Sequence, residues 1–243
     1  MIELLGVGVP RPGGGWLLHR VCASLEAGEL TLIVSGNPDE RLALLDTICG
    51  RRVPDEGRVW VSRVPLMDMT VGRIRALCAE VDASSPLIER RSLFWNALAP
   101  ATGPRTLGGL LRLPRRRERE LAVAALERVG LRARTGERIS SLSAFDRMRF
   151  LVARALAQRS QFLVVREPDR LLGGDGVGSL LALLRLLTRE ERLGVVVSLA
   201  AADAGHAFAD RALVLDDGLL LFHGRVDALT GARAARHAGI LPT

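Results

Sequence analysis

The stretch Leu30-Thr31-Leu32-Ile33-Val34-Ser35-Gly36-Asn37-Pro38-Asp39-Glu40-Arg41-Leu42-Ala43-Leu44-Leu45-Asp46-Thr47-Ile48 changes pattern twice. Leu30 to Val34 is an apolar run of strand length, and Leu42, Leu44, Leu45 and Ile48 then recur at helical spacing. Between them stands a helix-start signal, with Asn37 as N-cap, Pro38 in the first helical position, and Asp39 and Glu40 in the first turn. Acidic side chains there meet the free N–H groups and the positive end of the helix dipole. A buried strand that passes through a short loop straight into a helix is the repeating unit of parallel α/β sheets. Taken alone, the segment fits an ordinary capped helix in an unrelated fold equally well.

The rest of the chain repeats the unit. Residues 1 to 34 read as short strands with turn signals at Pro12 to Gly15 and Ala27 to Gly28, an antiparallel lead into the first core strand. A strand is expected from Gly57 to Val61, and from about Ala83 to Leu142 the pattern is helical with Pro and Gly breaks. After it we expect a helix over Ser143 to Gln158, a strand over Phe162 to Val165, a helix over Val177 to Glu190 and a strand over Val195 to Leu199. A closing strand pair spans Ala212 to Asp216 and Leu219 to His223. The expected organisation is one α/β domain over 1–243, with a core of 1–82 and 143–230, an inserted helical subdomain of about 83–142 and a tail of 231–243.

Composition narrows the partners. With 243 residues and 48% hydrophobic content the chain has ample core for one domain. The three cysteines, Cys22, Cys49 and Cys78, lack metal-ligand spacing and point to a reduced, cytoplasmic chain. The most apolar stretch, Val177 to Leu187, is interrupted by Arg185 and followed by Arg189, so no membrane span is expected and membrane contact would run through a partner. All 34 basic residues are arginine, and they are spread along the chain. That spread argues against nucleic acid despite the net charge of +7; only Arg112, Arg115, Arg116, Arg117 and Arg119 cluster, which reads first as a solvated helix face and second as a contact for lipid headgroups or an acidic partner. His19, His206, His223 and His237 show no ligand spacing, and no metal is expected.

Gly28-Glu29, Pro54-Asp55-Glu56-Gly57, Leu142-Ser143, Val152-Ala153-Arg154-Ala155-Leu156-Ala157, Glu167-Pro168, Ala209-Asp210-Arg211, Asp217-Gly218 and His223-Gly224 follow one another along the chain. In order and spacing they resemble the ATP-binding subunits of ABC transporters. Leu87-Ile88-Glu89-Arg90 and Ala125 to Leu131 look most like the subunits of phosphonate and phosphate-ester importers. The resemblance covers about residues 1 to 230 and implies a P-loop NTPase-like fold with an antiparallel β subdomain and an inserted helical subdomain.

Position by position, the resemblance also implies a changed site. Where the family has G-x-x-x-x-G-K-[ST], this chain has Ser35, Gly36, Asn37, Pro38, Asp39, Glu40, Arg41, Leu42 and Ala43. A phosphate cradle needs free backbone N–H groups, glycine where the backbone closes on the anion, and a hydroxyl for magnesium. Pro38 has no N–H, Glu40 brings a negative charge, Leu42 cannot ligate a cation, and only Arg41 can still meet a phosphate. The adenine-stacking aromatic falls on Arg11, the magnesium-watching glutamine on Asp82, and the signature on Leu142-Ser143-Ala144-Phe145-Asp146. The magnesium-holding aspartate falls on Arg166, the following catalytic glutamate on Glu167, the loop aspartate on Gly173 and the switch histidine on Ala200. Of these positions only Ser143 and Glu167 keep the family residue; Ser143 also reads as an N-cap, and Glu167 as a turn residue with a paired charge.

These departures lead to the expectation of a catalytically inactive subunit that binds no cofactor, with a structural or regulatory role. The expected partner is a permease or another such subunit, in a hetero-oligomer at the inner face of the membrane. The alternative is an atypical or weak ATPase subunit of an importer in which Arg41 stands for lysine; a further alternative is a soluble scaffold or nucleic-acid-binding module. Two geometric expectations follow. Arg166 should pair with Glu40 or Asp39, on the premise that the strand ending at Val165 runs beside the one ending at Val34, and an apolar patch including Leu87, Ile88, Phe94 or Trp95 should be exposed for docking.

Overall fold

The computed structural model describes residues 1–101, 114–202 and 205–229. Two sheets form its frame. The first is antiparallel and four-stranded, in the order β2 (Trp16–Leu25), β1 (Ile2–Pro10), β4 (Glu56–Val61), β5 (Val64–Pro65). The second is six-stranded, in the order β10 (Leu219–Arg225), β9 (Arg211–Asp216), β3 (Leu30–Val34), β8 (Gly194–Leu199), β7 (Phe162–Val165), β6 (Cys78–Val81). From β9 to β6 its neighbours pair in parallel, and the β9–β10 hairpin closes one edge.

Every residue of β3, β7 and β8 is buried, because helices or the other sheet cover both faces of the larger sheet. Side chains alternate between two cores. Ile33, Val164, Val196 and Leu213 face the antiparallel sheet and α1 (Pro38–Ile48), whose Leu44, Leu45 and Ile48 are fully buried. Leu32, Val34, Val165 and Val197 face α5 (Ala144–Leu156) and α6 (Gly174–Glu191). Burial of each large apolar side chain of α1 stabilises the fold by about 1.5–3 kcal/mol, which holds the loop before the helix against the carboxyl ends of the strands.

Most expected elements stand within a few residues of their sequence positions, with α1, β3 and β7 matching at both ends. Helix α6 begins three residues early, at Gly174, inside a glycine-rich run that helical periodicity does not read. The edge strand β6 and α2 (Val71–Leu77) carry too few periodic residues to stand out in the sequence. In the expected helical subdomain α3 (Leu93–Ala101) and α4 (Arg116–Arg128) are separated by residues 102–113, which lie outside the described residues, as do Arg112, the tail 231–243 and His237. Among the described residues no helix is long and apolar enough to cross a membrane. Cys22, Cys49 and Cys78 are free.

Strand order corrects one premise. β7 does not run beside β3: β8 lies between them, paired to both. Side chains leaving Val165 and Val34 are therefore two strand spacings apart, about 10 Å.

Candidate functional site

The loop between β3 and α1 forms as its sequence dictates. Asn37 is the N-cap and its side-chain oxygen accepts from the Asp39 N–H at 2.9 Å, Pro38 opens the helix, and the Asn37 N–H is taken by Ser35 Oγ at 2.9 Å. Gly36, Pro38 and Asp39 are exposed and Leu42 is half-buried. Glu40 turns inward and is 1% exposed. It accepts from Ser35 Oγ at 2.8 Å, from Asn37 Nδ2 at 3.3 Å and from the Gly218 N–H at 3.1 Å, and Arg11 lies 3.5 Å away. Gly218 sits in the β9–β10 turn with φ of 78°, and a Cβ there would meet the Trp16 carbonyl oxygen at 2.8 Å, so only glycine delivers that N–H to Glu40.

Arg41, 4% exposed, points from the first turn of α1 across the ends of the strands. Its guanidinium donates to the Ser35 carbonyl and forms a buried ion pair with Glu167, leaving its Nε without a partner. Glu167 is 7% exposed and stands in the left-handed region at φ of 40°, a conformation held only where the surroundings enforce it. The surroundings here are Ser198 Oγ, which accepts from the Glu167 N–H at 3.0 Å, and Arg170, which donates to its other carboxylate oxygen at 2.8 Å. The paired-charge reading of Glu167 holds, with Arg41 as a partner that the sequence spacing of 126 residues conceals.

Arg166 does not reach Glu40 or Asp39, which corrects that expectation. It leaves β7 toward the sheet edge, where Nε donates to Glu80 of β6 at 2.7 Å and Nη2 to Asp46 of α1 at 2.6 Å. Burial alone would lower its pKa, but Glu80 and Asp46 outweigh burial and hold the guanidinium above its ordinary value. Arg51 donates to the second oxygen of Glu80 at 2.8 Å. Beneath this network the Cys49 thiol is pushed up by its hydrogen bond with Cys78 and by burial. The partners Asp46, Glu80, Gly218 and Ser198 escaped sequence reasoning, since nothing in local pattern marks a residue whose neighbours come from other strands.

The remaining positions make local contacts. Asp82 accepts from the N–H and Oγ of Ser84 at 2.7 and 2.6 Å, which closes its own turn. Ser143 caps α5 by accepting from the Asp146 N–H at 3.1 Å. Burial would raise the Asp146 pKa, but hydrogen bonds from Arg149 and Arg134 reverse it and hold the carboxylate below the usual range. Phe145 lies under the Arg149 guanidinium, 5.3 Å from ring centre to Cζ. Gly173 caps α6, and the Ala200 N–H donates to Asp169 at 3.0 Å. From the first turn of α3 the buried Asn96 reaches back to the preceding loop and holds the backbone of Ile88 through both its N–H (2.9 Å) and its carbonyl (3.1 Å). Ile88 is thereby presented 58% exposed and Trp95 40% exposed, while Leu87 and Phe94 pack on the core.

The ABC transporter family model matches residues 18–170. The chain is an ABC transporter ATP-binding domain. It is 28% identical over 233 residues to a phosphonates import ATP-binding protein of Cupriavidus metallidurans, spanning 95% of this chain and 84% of that protein. It is 30% identical over 227 residues to a phosphite import ATP-binding protein of Stutzerimonas stutzeri, spanning 93% and 82%. Among solved structures, cbiO1 from Clostridium perfringens, part of an ABC transporter complex, superposes with a TM-score of 0.83 at 20% identity over 96% of this chain and 92% of that one. An ABC transporter ATP-binding cassette in its ADP conformation superposes with a TM-score of 0.85 at 18% identity over 98% and 97%. The P-loop NTPase-like α/β fold of these cassettes is the fold of this domain.

These matches overturn the expectation of an inactive structural subunit. The proteins that this domain resembles over nearly its whole length are ATP-binding import subunits, and they favour the atypical-ATPase alternative. Each residue change alters single contacts of the site, whereas the similarity to these import subunits runs through nearly the whole chain.

Proposed function

We propose that this domain is the ATP-binding subunit of an importer for phosphorus oxyanions of the phosphonate and phosphite class, working as a slow, atypical ATPase. The names of its relatives support the substrate class. The observation that carries the ATPase reading is Arg41: a buried guanidinium in the first turn of the helix, with one N–H uncommitted and Glu167 beside it. In this reading Arg41 takes the part of lysine and meets phosphate oxygens with its planar fork. Glu167, released as Arg41 turns to phosphate, orients the attacking water. The residues around Arg166 do not fit a magnesium ion, because a guanidinium already neutralises Glu80 and Asp46, and no step is routed through a metal there.

The partner is a permease at the cytoplasmic face of the membrane, met through the exposed Ile88 and Trp95, with a second ATP-binding subunit completing the assembly. The test is ATP turnover by the subunit co-purified with its permease and reconstituted in vesicles. Slow turnover that disappears in Arg41→Ala and in Glu167→Gln is expected. No turnover above the level of Glu167→Gln, with the complex intact, would overturn the reading.

A further inference from the structure

Each contact of the Glu40 carboxylate is one that a phosphate could make. Ser35 Oγ, Asn37 Nδ2 and the Gly218 N–H donate to it, and the Arg11 guanidinium stands 3.5 Å away. All this happens at the start of an eleven-residue helix, whose dipole favours an anion. Beside it Arg41 is almost wholly buried and its Nε–H has no acceptor. A buried donor without a partner is costly, and an oxyanion entering the loop would satisfy it.

We propose that Glu40 is a tethered competitor for the phosphoryl groups of the nucleotide, holding the loop closed until a di- or triphosphate displaces it. The proposal rests on the reading of the domain as an ATP-binding subunit. Being part of the loop, the carboxylate acts at an effective concentration in the millimolar range or above, so a weakly held phosphate cannot outcompete it. Displacement frees the Ser35 hydroxyl, the Asn37 amide, the Gly218 N–H and Arg11 together. The Gly218 N–H is the bond by which the β9–β10 turn meets Glu40, so the same event loosens that turn from the loop. Glu40 thereby sets the nucleotide concentration at which the subunit responds.

The test is calorimetric binding of inorganic pyrophosphate and of ATP with magnesium to the wild type, Glu40→Gln and Glu40→Gly, with circular dichroism and melting curves to check the fold. Glu40→Gln keeps the size of the side chain and removes only the charge. We expect pyrophosphate affinity to rise about tenfold or more in Glu40→Gly, with Glu40→Gln between the two. Unchanged affinity in a folded Glu40→Gln protein, or no binding by any of the three, overturns the proposal. If affinity rises while the wild type in its permease complex shows no ATP turnover, the competitor stands and the ATPase reading falls. If the wild type turns over ATP and neither substitution alters affinity, the ATPase reading stands and the competitor falls.

Discussion

The loop at residues 35–41 and the segment at 88–95 solve opposite problems with the same means. In the first, charged side chains turn inward: Glu40 and Arg41 are buried and matched by Arg11 and Glu167 from elsewhere in the fold. In the second, apolar side chains turn outward: Ile88 and Trp95 are partly exposed to solvent on a backbone braced by Asn96. A charge out of water must be paired, so the loop is held by its partners. An apolar group at the surface has no charge to neutralise, and the segment at 88–95 is braced by the bonds of Asn96 to Ile88, with the Trp95 ring meeting Phe94 edge-on beneath Arg91. The loop's charges therefore carry stability, and the exposed pair carries association.

The contrast is sharpest at Arg41. Arg41→Ala leaves Glu167 buried beside Arg170 alone, and the expected loss is about 3–5 kcal/mol in urea or thermal unfolding. A loss below about 1 kcal/mol would mean that the buried pair is not what holds the loop. Arg166→Ala takes the guanidinium from Asp46 and leaves Glu80 with Arg51 alone, but both carboxylates reach solvent, so a smaller loss of about 1–3 kcal/mol is expected from the same measurement. An equal or larger loss than in Arg41→Ala would reverse the ranking of the two networks.

Acid should act on the paired carboxylates and leave the apolar segment alone. Asp146 is held below the usual range as described, and Asp210, which burial would raise, is lowered by Arg185 and by the Leu30 N–H. A depressed folded pKa contributes stability that is present above the unfolded value of about 3.9 and is lost as pH falls through the folded one. Melting temperature should thus be unaffected by these two groups above about pH 5 and fall below about pH 4. Asp146→Asn should flatten part of that fall, and a variant with the unaltered profile would remove Asp146 from the account. The smallest effect on stability is expected at the exposed pair: Ile88→Ser with Trp95→Ser should shift unfolding by no more than about 0.5 kcal/mol per site. The same double substitution should abolish co-purification with the permease; retained co-purification would separate this segment from docking.

Much of the framework was readable in the sequence because its signals are local. An apolar run followed by Asn37, Pro38, Asp39 and Glu40 states a strand, a cap and a helix within the reach of a few residues, and α1 begins and ends where that pattern does. Ser143 as a cap was legible for the same reason, whereas of Leu87, Ile88, Phe94 and Trp95 only packing decides that Ile88 and Trp95 are the exposed ones. The partner of each site charge was not legible. Arg166 and Glu40 look complementary in the sequence, but β8 intervenes, and each finds a closer opposite charge: Glu80 and Asp46 for Arg166, Arg11 for Glu40. Arg41 meets Glu167 across 126 positions of chain, a pairing created only when the strands stack in their order. Which residues enter strands and helices, and which charges must be neutralised, follows from the order of residues along the chain, since burial pattern and capping depend on near neighbours. Which charge neutralises which was decided by the tertiary structure, because ion pairing depends on distance through space, and strand order sets that distance.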